Sequence, residues 1–431
     1  MERTRVLHII TSLDADGAQQ MLLKLCQYMP ANEFEFEILN LRGETEFSKR
    51  FEACGVAVHH LNMRRGLPSV EAFREMKRIA SKFNPHLVQG WMYHGNFVAQ
   101  LVEKFACPGV PVLWNIRKAV ENLTEYRFHT RLILKLGAKL SSRAKAVIYC
   151  GEYVARQHVA LGYFPDNQAV IYNGFNTELF RPSGEARLKL REELELTSEA
   201  VVVGMTARYH EHKDYPNLLR AAALLRRKYP EVRFVLAGRG VDWKNAKLVN
   251  LITELDLKSN VFLLGERKNI EQLIAGFDVY CLSSSAEGFP NSLGEAMSCG
   301  VPCVTTAAGA SSEVVGDKGF VVPVGDSPGL AQSIEQYLML SNTRRREAGL
   351  EARARVVKKF SVQHISASYS ELYRQSSGRY LESEEEALSG RVVRIATRQS
   401  TRFPTPAEPY VGKITAKGIE EVTRERLRAA R

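Results

Sequence analysis

The chain has 431 residues, of which 45% are hydrophobic, 25% charged and 9% aromatic, a composition typical of a globular protein and unlike that of a collagen or a fully disordered chain. At about 150 residues per domain, this length predicts two or three domains and excludes a small binding module. The 59 Lys and Arg residues exceed the 48 Asp and Glu residues and give a formal charge of +11, which favours anionic partners such as phosphorylated ligands, acidic lipids or nucleic acid.

The cysteines and the N-terminus predict a cytoplasmic protein. Seven cysteines are scattered along the chain without a C-x-x-C pair, so we expect them to be reduced and mostly buried rather than to bind zinc. The apolar stretch after Arg5 is too short for the hydrophobic region of a signal peptide, and no run of 18 apolar residues occurs.

Apolar runs alternate with stretches of helical period up to about residue 375, which is the pattern of parallel sheets connected by helices. A strand–helix–strand unit begins the chain, and a second unit of the same kind restarts in the middle. In chain order, the predicted elements are a strand over 6–10, a helix over 18–28, a strand over 36–41, a strand over 200–205, a helix over 215–228 and a strand over 232–237.

A cluster of turn-forming residues between 173 and 184 predicts the linker between two Rossmann-like domains. We predict an N-terminal domain over 1–180 and a C-terminal domain over 181–360. A helix over 361–375 is expected to return to the N-terminal domain. The tail over 376–431 is predicted to be mostly disordered, because its apolar periodicity is too weak to sustain a core.

The most specific stretch follows a predicted strand that ends at residue 282. It places Glu287 in a loop of Gly, Pro, Asn and Ser residues and Glu295 in the first turn of the next helix, so that both carboxylates can face one ligand. The N–H groups around Asn291, Ser292 and Leu293 lie at the start of that helix, where unsatisfied donors form a site for a diphosphate. A carboxylate there can accept hydrogen bonds from ribose or sugar hydroxyl groups.

This stretch resembles the family 4 retaining glycosyltransferases of the GT-B fold, whose signature is Glu, seven residues, Glu. Other segments resemble the same family and follow its order along the chain. They are Thr11–Gln19, Ile171–Asn176, Ala207–Arg208 with Lys213, Leu236–Gly240, Phe262–Arg267 and Gly300–Thr305. The resemblance covers about residues 5–375 and implies an α/β protein with two Rossmann-like parallel-sheet domains facing a central cleft.

The resemblance also implies roles for the matching residues. Glu295 is expected to bind the nucleotide ribose and Glu287 a hydroxyl group of the transferred sugar. Arg208 and Lys213 resemble the family's cationic pair on the donor phosphates, and fixed cations stabilise the negative charge that develops on a departing diphosphate. His94 resembles the histidine near the reacting sugar. The other positions expected to bind the donor are Asn291, Ser292, Leu293, Gly17, Gly238, Glu266 and Arg267.

Structural alternatives stay open for several of these residues. Arg208 and Lys213 could form a solvated surface, and a lone histidine after a strand, such as His94, could be satisfied in packing. Arg117 is a further candidate for the cleft, with a structural ion pair as its alternative. The first loop departs from the family pattern at Asp16, where the family commonly has glycine, so the part that Gly17 plays is open.

The sequence therefore predicts a metal-independent enzyme without a cofactor, which moves a hexose from a nucleotide sugar to a glycan or lipid-linked acceptor. The resemblance implies retention of configuration. We expect a UDP-linked donor and a role in polysaccharide or glycolipid biosynthesis. The alternatives are a nucleotide-sugar epimerase of the same fold and a basic membrane adaptor without catalysis. Nucleic acid is not an expected partner, because the chain has no recognisable nucleic-acid module.

A basic residue recurs at every fourth position between 127 and 143. Four residues advance 400° around a helix, so these cations drift by only 160° and form one face. Such a face suits docking on an anionic membrane surface, and the alternative is an ordinary surface helix. The cations are Arg127, Arg131, Lys135, Lys139 and Arg143.

Overall fold

The computed structural model describes residues 2–14, 16–63, 69–120, 123, 126 and 128–378. Arg127 and the predicted tail from residue 379 onwards lie outside these residues. The described chain forms two compact units. The first unit contains the residues up to Leu179, the segment Ala286–Asn291 and the residues from Arg355 onwards, and the second contains Phe180–Ser285 and Ser292–Ala354.

The first unit is built on a seven-stranded parallel sheet in the order β3-β2-β1-β4-β5-β6-β7. The central strands β4, β5 and β6 are buried along their whole length, as expected where helices cover both faces of a parallel sheet. The strands are β1 (Thr4–Ile10), β2 (Phe34–Asn40), β3 (Ala57–His60), β4 (Leu87–Trp91), β5 (Val112–Ile116), β6 (Ala146–Tyr149) and β7 (Gln168–Val170).

Among the described residues of the first unit there are seven α-helices, and the last of them comes from the C-terminal part of the chain. They are α1 (Gly17–Tyr28), α2 (Lys49–Glu52), α3 (Val70–Phe83), α4 (Met92–Phe105), α5 (Phe128–Leu140), α6 (Glu152–Ala160) and α15 (Val362–Ser377). Helix α15 packs against α1 and β4. It buries Tyr369 and Tyr373 completely, and the Tyr373 hydroxyl group donates a hydrogen bond to the side chain of Gln89.

The second unit has a six-stranded parallel sheet in the order β10-β9-β8-β11-β12-β13. Its strands are β8 (Val202–Thr206), β9 (Arg233–Ala237), β10 (Val261–Leu263), β11 (Val279–Leu282), β12 (Cys303–Thr306) and β13 (Gly319–Val322). Its helices are α7 (Gly184–Glu193), α8 (Tyr215–Arg226), α9 (Ala246–Glu254), α10 (Ile270–Ala275), α11 (Asn291–Ser298), α12 (Ser311–Val315), α13 (Ser327–Leu338) and α14 (Asn342–Phe360), the last of which ends in the first unit.

Strand order reverses once in each sheet, between β1 and β4 in the first unit and between β8 and β11 in the second. In open parallel sheets, ligands bind beyond the carboxyl ends of the strands at this point. Gly17 and His94 follow β1 and β4, whereas Arg208 and Glu295 follow β8 and β11. The predicted α/β class with two parallel-sheet domains is confirmed, and these four predicted site residues follow the strands on either side of the two switch points.

All seven cysteines lie among the described residues, none of them forms a disulfide bond, and five are buried, as predicted from their scattered positions. Among the described helices, none has both the length and the apolar character needed to cross a bilayer.

Candidate active site

In the second unit, the buried Tyr280 ties the start of α11 to the end of β8. Its hydroxyl group lies 3.1 Å from Oγ1 of Thr206 and also hydrogen-bonds to Ser292. Burial raises the pKa of Tyr280 well above its ordinary value, so the phenol stays neutral and keeps its proton for these bonds. The charge of Glu295, one turn further along α11, contributes to the same rise. The half-buried Glu295 therefore lies close to the end of β8.

The turn that carries Lys213 is hydrogen-bonded to the loop that leaves β11. Ser283 Oγ donates to the carbonyl oxygens of Lys213 and Asp214 over 2.9 and 3.0 Å, and the N–H of Ser285 donates to the carbonyl oxygen of His212 over 2.8 Å. Lys213 is half-buried in this short 3-10 turn, which spans Glu211–Lys213. These bonds hold Lys213 beside the carboxyl end of β11.

Gly238 allows the loops after β8 and β9 to run against each other. Its φ is +148°, and a Cβ atom there would lie only 2.0 Å from the carbonyl oxygen of Ala207. The next residue, Arg208, is exposed. Close packing of the two loops therefore requires glycine at position 238, whether or not the backbone of Gly238 meets a ligand. The packing also sets the position of Arg208 at the carboxyl edge of the sheet.

The remaining residues of the second unit that were predicted to bind the sugar donor differ in which of their groups can contact a ligand. The Leu293 side chain is fully buried, so only its main chain could meet a ligand. Glu266 is exposed, whereas Arg267 forms an ion pair with Glu193 at the end of α7. This surface pair competes with the predicted contact between Arg267 and the nucleotide base.

In the first unit, a buried hydrogen-bonded chain leads to Asn291. The Arg117 guanidinium donates to Oδ1 of Asn173 over 2.8 Å, and Nδ2 of Asn173 donates to Oδ1 of Asn291 over 2.8 Å. A Cβ atom on Gly17 would lie 3.7 Å from Nδ2 of Asn291, which places the start of α1 beside it. The network brings Gly17 and Asn291 together, two residues that the sequence placed near the donor.

The segment that carries Glu287 is anchored by Phe289. Phe289 is buried, and its ring stacks on Phe175 with centroids 6.1 Å apart and meets Tyr172 at 5.6 Å. A Cβ atom at Gly288 would lie 2.8 Å from the carbonyl oxygen of Arg117, so the backbone passes close to that residue. Glu287 itself is half-buried and directly precedes these two anchored residues.

His94 lies in the first turn of α4, which begins directly after β4. The change from strand to helix is sharp, because Met92 has a φ of +61°. Burial lowers the pKa of His94, and the positive charges of His129 and Arg42 lower it further. The imidazole is therefore neutral at pH 7 and can both donate and accept a hydrogen bond.

Two family models match this chain. The Glycosyl transferase 4-like domain matches residues 16–174, and the Glycosyl transferases group 1 family matches residues 186–355. Together they cover most of the chain and both units. The chain belongs to the group 1 glycosyltransferases of the GT-B fold.

Individual relatives of this glycosyltransferase agree with the family. It is 25% identical over 304 residues to a Bacillus subtilis protein named as the glycosyltransferase EpsF, covering 70% of this chain and 78% of EpsF. It is 28% identical over 242 residues to the lipopolysaccharide core biosynthesis glycosyltransferase LpsE of Rhizobium meliloti, covering 52% of this chain and 67% of LpsE. The solved structure of Anabaena HepE with UDP has a TM-score of 0.75 and 24% identity and covers 86% of this chain and all of HepE; HepE has also been solved with UDP-glucose.

One alternative for Arg117 of this glycosyltransferase is not supported. Within the described residues, its guanidinium hydrogen-bonds only neutral groups, which are Asn115, the Ile171 carbonyl, Asn173 and the Tyr369 hydroxyl. A structural ion pair is therefore absent from the described surroundings of Arg117. Its donors are used to hold other side chains in place.

The basic face differs in part from the prediction. Arg131, Lys135 and Lys139 lie on α5, but that helix ends at Leu140 and Arg143 belongs to a separate 3-10 turn. The prediction of one continuous helix through Arg143 was wrong. Exposed apolar side chains run beside the helical cations, at Phe128, Leu132 and Leu136.

Sequence analysis missed two residues that organise the site. Asn173 connects Arg117 to Asn291, and Ser283 holds the Lys213 turn. Both lie in segments that resemble the family, yet their partners are distant in the chain. Their positions in those segments were the only available signal, and side-chain type did not reveal the partners.

A cluster of metal-binding residue types lies in the same turn as Lys213. Among the described residues, His210, Glu211 and His212 are the group whose potential ligand atoms all lie within 4.8 Å of one another. The two imidazole rings are 4.8 Å apart. Imidazole ligands suit zinc or nickel better than magnesium, so this cluster is not the carboxylate-rich site that a magnesium-bound diphosphate would use.

Proposed function

We propose that this glycosyltransferase transfers a hexose from a UDP-linked donor to a glycan or lipid-linked acceptor, with retention of configuration and without a metal ion. The reaction would serve polysaccharide or glycolipid biosynthesis in the cytoplasm. The UDP complexes of HepE support the choice of nucleotide. The name of LpsE, which refers to lipopolysaccharide core biosynthesis, supports the class of acceptor.

The observation that carries this proposal is the bonding of the Lys213 turn to the loop after β11. Ser283 and Ser285 fix that turn, and Arg208 leaves the neighbouring strand at the same edge of the sheet. The two cations would then act together on the negative charge that develops when a nucleoside diphosphate departs. Pre-positioned charges of this kind lower the barrier most, because they need no reorganisation during the reaction.

The other residues would complete the donor site. Main-chain N–H groups at the start of α11 would bind the diphosphate, Glu295 the ribose hydroxyl groups and Glu287 a hydroxyl group of the hexose. The neutral His94 would orient the sugar through a hydrogen bond. The bond between the anomeric carbon and the diphosphate oxygen breaks, the acceptor oxygen bonds to the same face of that carbon, and the departing diphosphate takes the acceptor's proton.

The decisive experiment combines UDP binding with transfer from UDP-hexoses. Arg208→Gln and Glu295→Ala should each weaken UDP binding or lower kcat/KM by about a hundredfold, which equals about 2.7 kcal/mol. The matched controls are Arg220→Gln and Glu254→Ala, which remove exposed charges on helices of the same unit. Unchanged kinetics in both site variants would reject the proposal.

The same assay also tests metal independence, transfer as opposed to epimerisation, and retention of configuration. Removal of metal by EDTA should leave the transfer rate unchanged, and a rate restored only by a divalent ion would reject metal independence. A product formed without any acceptor would instead identify an epimerase. The anomeric configuration of the product, read by nuclear magnetic resonance, tests retention.

We also propose that α5 docks the enzyme on an anionic membrane surface. Phe128, Leu132 and Leu136 are 74%, 48% and 37% exposed, whereas Leu134 is buried. Since each residue advances 100°, Leu132 and Leu136 lie on the face opposite Leu134. Lys135 is exposed next to them, so apolar insertion and charge attraction would act together, at about 1 kcal/mol per cation.

Sedimentation with vesicles tests this docking. Vesicles containing phosphatidylglycerol should bind the full chain in a salt-sensitive manner, and Lys135→Gln with Lys139→Gln should lower the partition coefficient roughly thirtyfold, at about 1 kcal/mol per cation. The control is Lys77→Gln with Lys82→Gln, which removes two exposed cations from α3. Equal loss in both double variants would show that only the net charge matters and would reject α5 as the docking helix.

A further inference from the structure

The second unit contains a pocket at the edge of its sheet that lies opposite to the candidate active site. Its volume is about 290 Å³, near the lower end of the range for small-molecule sites. Asp278 and Pro302 line it, and each directly precedes a strand, β11 and β12 respectively. The pocket is therefore at the amino ends of these strands, whereas Arg208 follows the carboxyl end of β8.

The walls of the pocket carry more positive than negative charge. Arg187, Arg345 and Arg346 line it together with one carboxylate, Asp278. A fourth arginine, Arg191, is 3% exposed and pairs with the same Asp278. One carboxylate cannot balance four guanidinium groups, and the positive charges of Arg187 and Arg346 lower the pKa of Arg191 beyond the effect of burial.

Three of the arginines are held in fixed positions by the protein. Arg187 Nε lies 3.1 Å from Asp278. Arg345 donates to the carbonyl oxygens at the end of α13, including that of Tyr337 over 2.9 Å, and thereby caps that helix. Arg346 is exposed and, within the described residues, has no hydrogen-bond or ion-pair partner. The guanidinium group of Arg346 can therefore donate hydrogen bonds to a ligand in the pocket.

Two helices also begin at the wall of this pocket. Ser183 and Gly184, at the start of α7, and Asn342, the first residue of α14, are lining residues. The amino ends of helices carry partial positive charge, which adds to the field of the arginines. Part of the remaining wall is apolar, with Phe277 and Leu350, so the pocket can also hold the uncharged body of a small molecule.

We propose that this pocket binds the phosphate group of a small phosphorylated metabolite. A phosphate monoester carries a charge of about −1.5 to −2 at pH 7. A ligand with this charge balances the excess of cations better than a ligand with one carboxylate group would. Guanidinium groups bind phosphate oxygens in pairs of parallel hydrogen bonds. The volume of the pocket fits a metabolite of about the size of glycerol phosphate rather than a sugar nucleotide.

Helix α11 connects this pocket to the donor residues. Glu295 lies on α11, and Cys299 and Gly300, which follow the end of that helix, line the pocket. The N–H of Cys299 donates to the carbonyl oxygen of Glu295 over 3.0 Å. An occupant of the pocket would therefore contact the far end of the same helix that carries the proposed ribose ligand.

Calorimetric titration of the full chain with glycerol 3-phosphate and with inorganic phosphate tests the proposal, at constant ionic strength and with saturating UDP. Both probes should bind saturably in the presence of UDP, because the pocket is distinct from the donor site. Arg346→Gln should weaken binding at least tenfold. The matched control, Arg344→Gln, removes an exposed charge two residues away that pairs with Glu347 and does not line the pocket, and it should bind within twofold of the unaltered chain.

Leu350→Glu gives a second, independent variant. Leu350 is 53% exposed, so the change should leave the fold intact while placing a negative charge on the pocket wall, and it should abolish binding of both probes. Absence of saturable binding to the unaltered chain, displacement of the probes by UDP, or equal binding by Arg346→Gln and Arg344→Gln would each overturn the proposal. None of these results depends on whether the enzyme transfers a hexose.

Discussion

The two units use arginine in opposite ways at the carboxyl ends of their strands. Arg117 in the first unit is 9% exposed and spends its donors on four neutral partners. Arg208 in the second unit is exposed on a loop. Both residues follow a strand and both were candidates for the same cleft. The difference shows that a guanidinium group surrounded by buried acceptors supports the fold, whereas an exposed one at the end of a strand lies where a ligand can reach it.

This contrast extends to the residues around each arginine. The Arg117 network is closed by Tyr369 from α15, whose hydroxyl also accepts a hydrogen bond from Asn115 over 2.7 Å. The bonds that hold the Lys213 turn near Arg208 include those of a serine hydroxyl and of main-chain groups. At these two positions, the first unit therefore uses buried polar contacts to fix its arginine, whereas the arginine of the second unit is exposed.

The strongest test of the contrast is Arg117→Ala. Removing the guanidinium takes the buried donor away from Oδ1 of Asn115, Oδ1 of Asn173 and the carbonyl oxygen of Ile171, so the free energy of unfolding of the first unit should fall by about 3 kcal/mol. Two of the three tryptophans, Trp91 and Trp114, are buried in that unit, and the third is Trp243. In a Trp243→Phe background, urea denaturation followed by tryptophan fluorescence therefore reports on the first unit alone.

The control for that experiment is Arg220→Ala, which removes an exposed arginine from α8 and should leave the same transition unchanged. A loss below about 1 kcal/mol for Arg117→Ala, within the range of an ordinary surface change, would contradict the assignment of Arg117 to the fold.

The pH dependence of stability sharpens the comparison, because the first unit also buries His8. Its Nδ1 accepts a hydrogen bond from Trp91 Nε1 over 3.2 Å, and burial lowers its pKa from 6.5 to about 3. Below pH 6.5 the unfolded chain binds a proton that the folded chain does not, so stability falls as the pH falls. At pH 5 this amounts to about 2 kcal/mol.

The variant His8→Gln keeps an acceptor for Trp91 and cannot take up the proton. Relative to the unaltered chain, it should lose less stability between pH 7 and pH 5, again by about 2 kcal/mol. Other histidines titrate equally in both proteins, so the difference isolates His8. Parallel pH profiles for the two proteins would show that His8 does not stay neutral in the folded unit.

Much of the fold followed from periodicity, because apolar runs and helical stretches are local properties of the sequence. The strand predicted over 6–10 is Thr4–Ile10, and the helix predicted over 215–228 is Tyr215–Arg226. The end of α5 was not predicted, since the spacing of its cations continues to Arg143. In the structure, Ser141 Oγ donates to the carbonyl oxygen of Ala138 at the point where the helix stops.

The residues that organise the candidate site were harder to predict, because their partners are far apart in the chain. Asn173 and Asn291 are separated by 118 positions, and Arg267 and Glu193 by 74. A motif can indicate that a residue lies at a strand end, but it does not indicate which distant side chain will use its hydrogen bonds. Arg117 and Arg208 look alike in the sequence for the same reason.

The smallest effect among these predictions is expected for Ser283→Ala, because we expect Ser283 to act as a positioning residue for Lys213. Ser283→Ala removes two hydrogen bonds to the Lys213 turn and should raise the KM for the UDP-sugar about fivefold, which equals about 1 kcal/mol. Ser298→Ala is the matched control: this buried serine of the same unit donates to the carbonyl oxygen of Gly294 in its own helix over 2.7 Å. Both variants should lose a similar stability of about 1 kcal/mol. Only Ser283→Ala should change KM, so an equal rise in both would mean that general loosening of the unit, and not the position of Lys213, sets donor affinity.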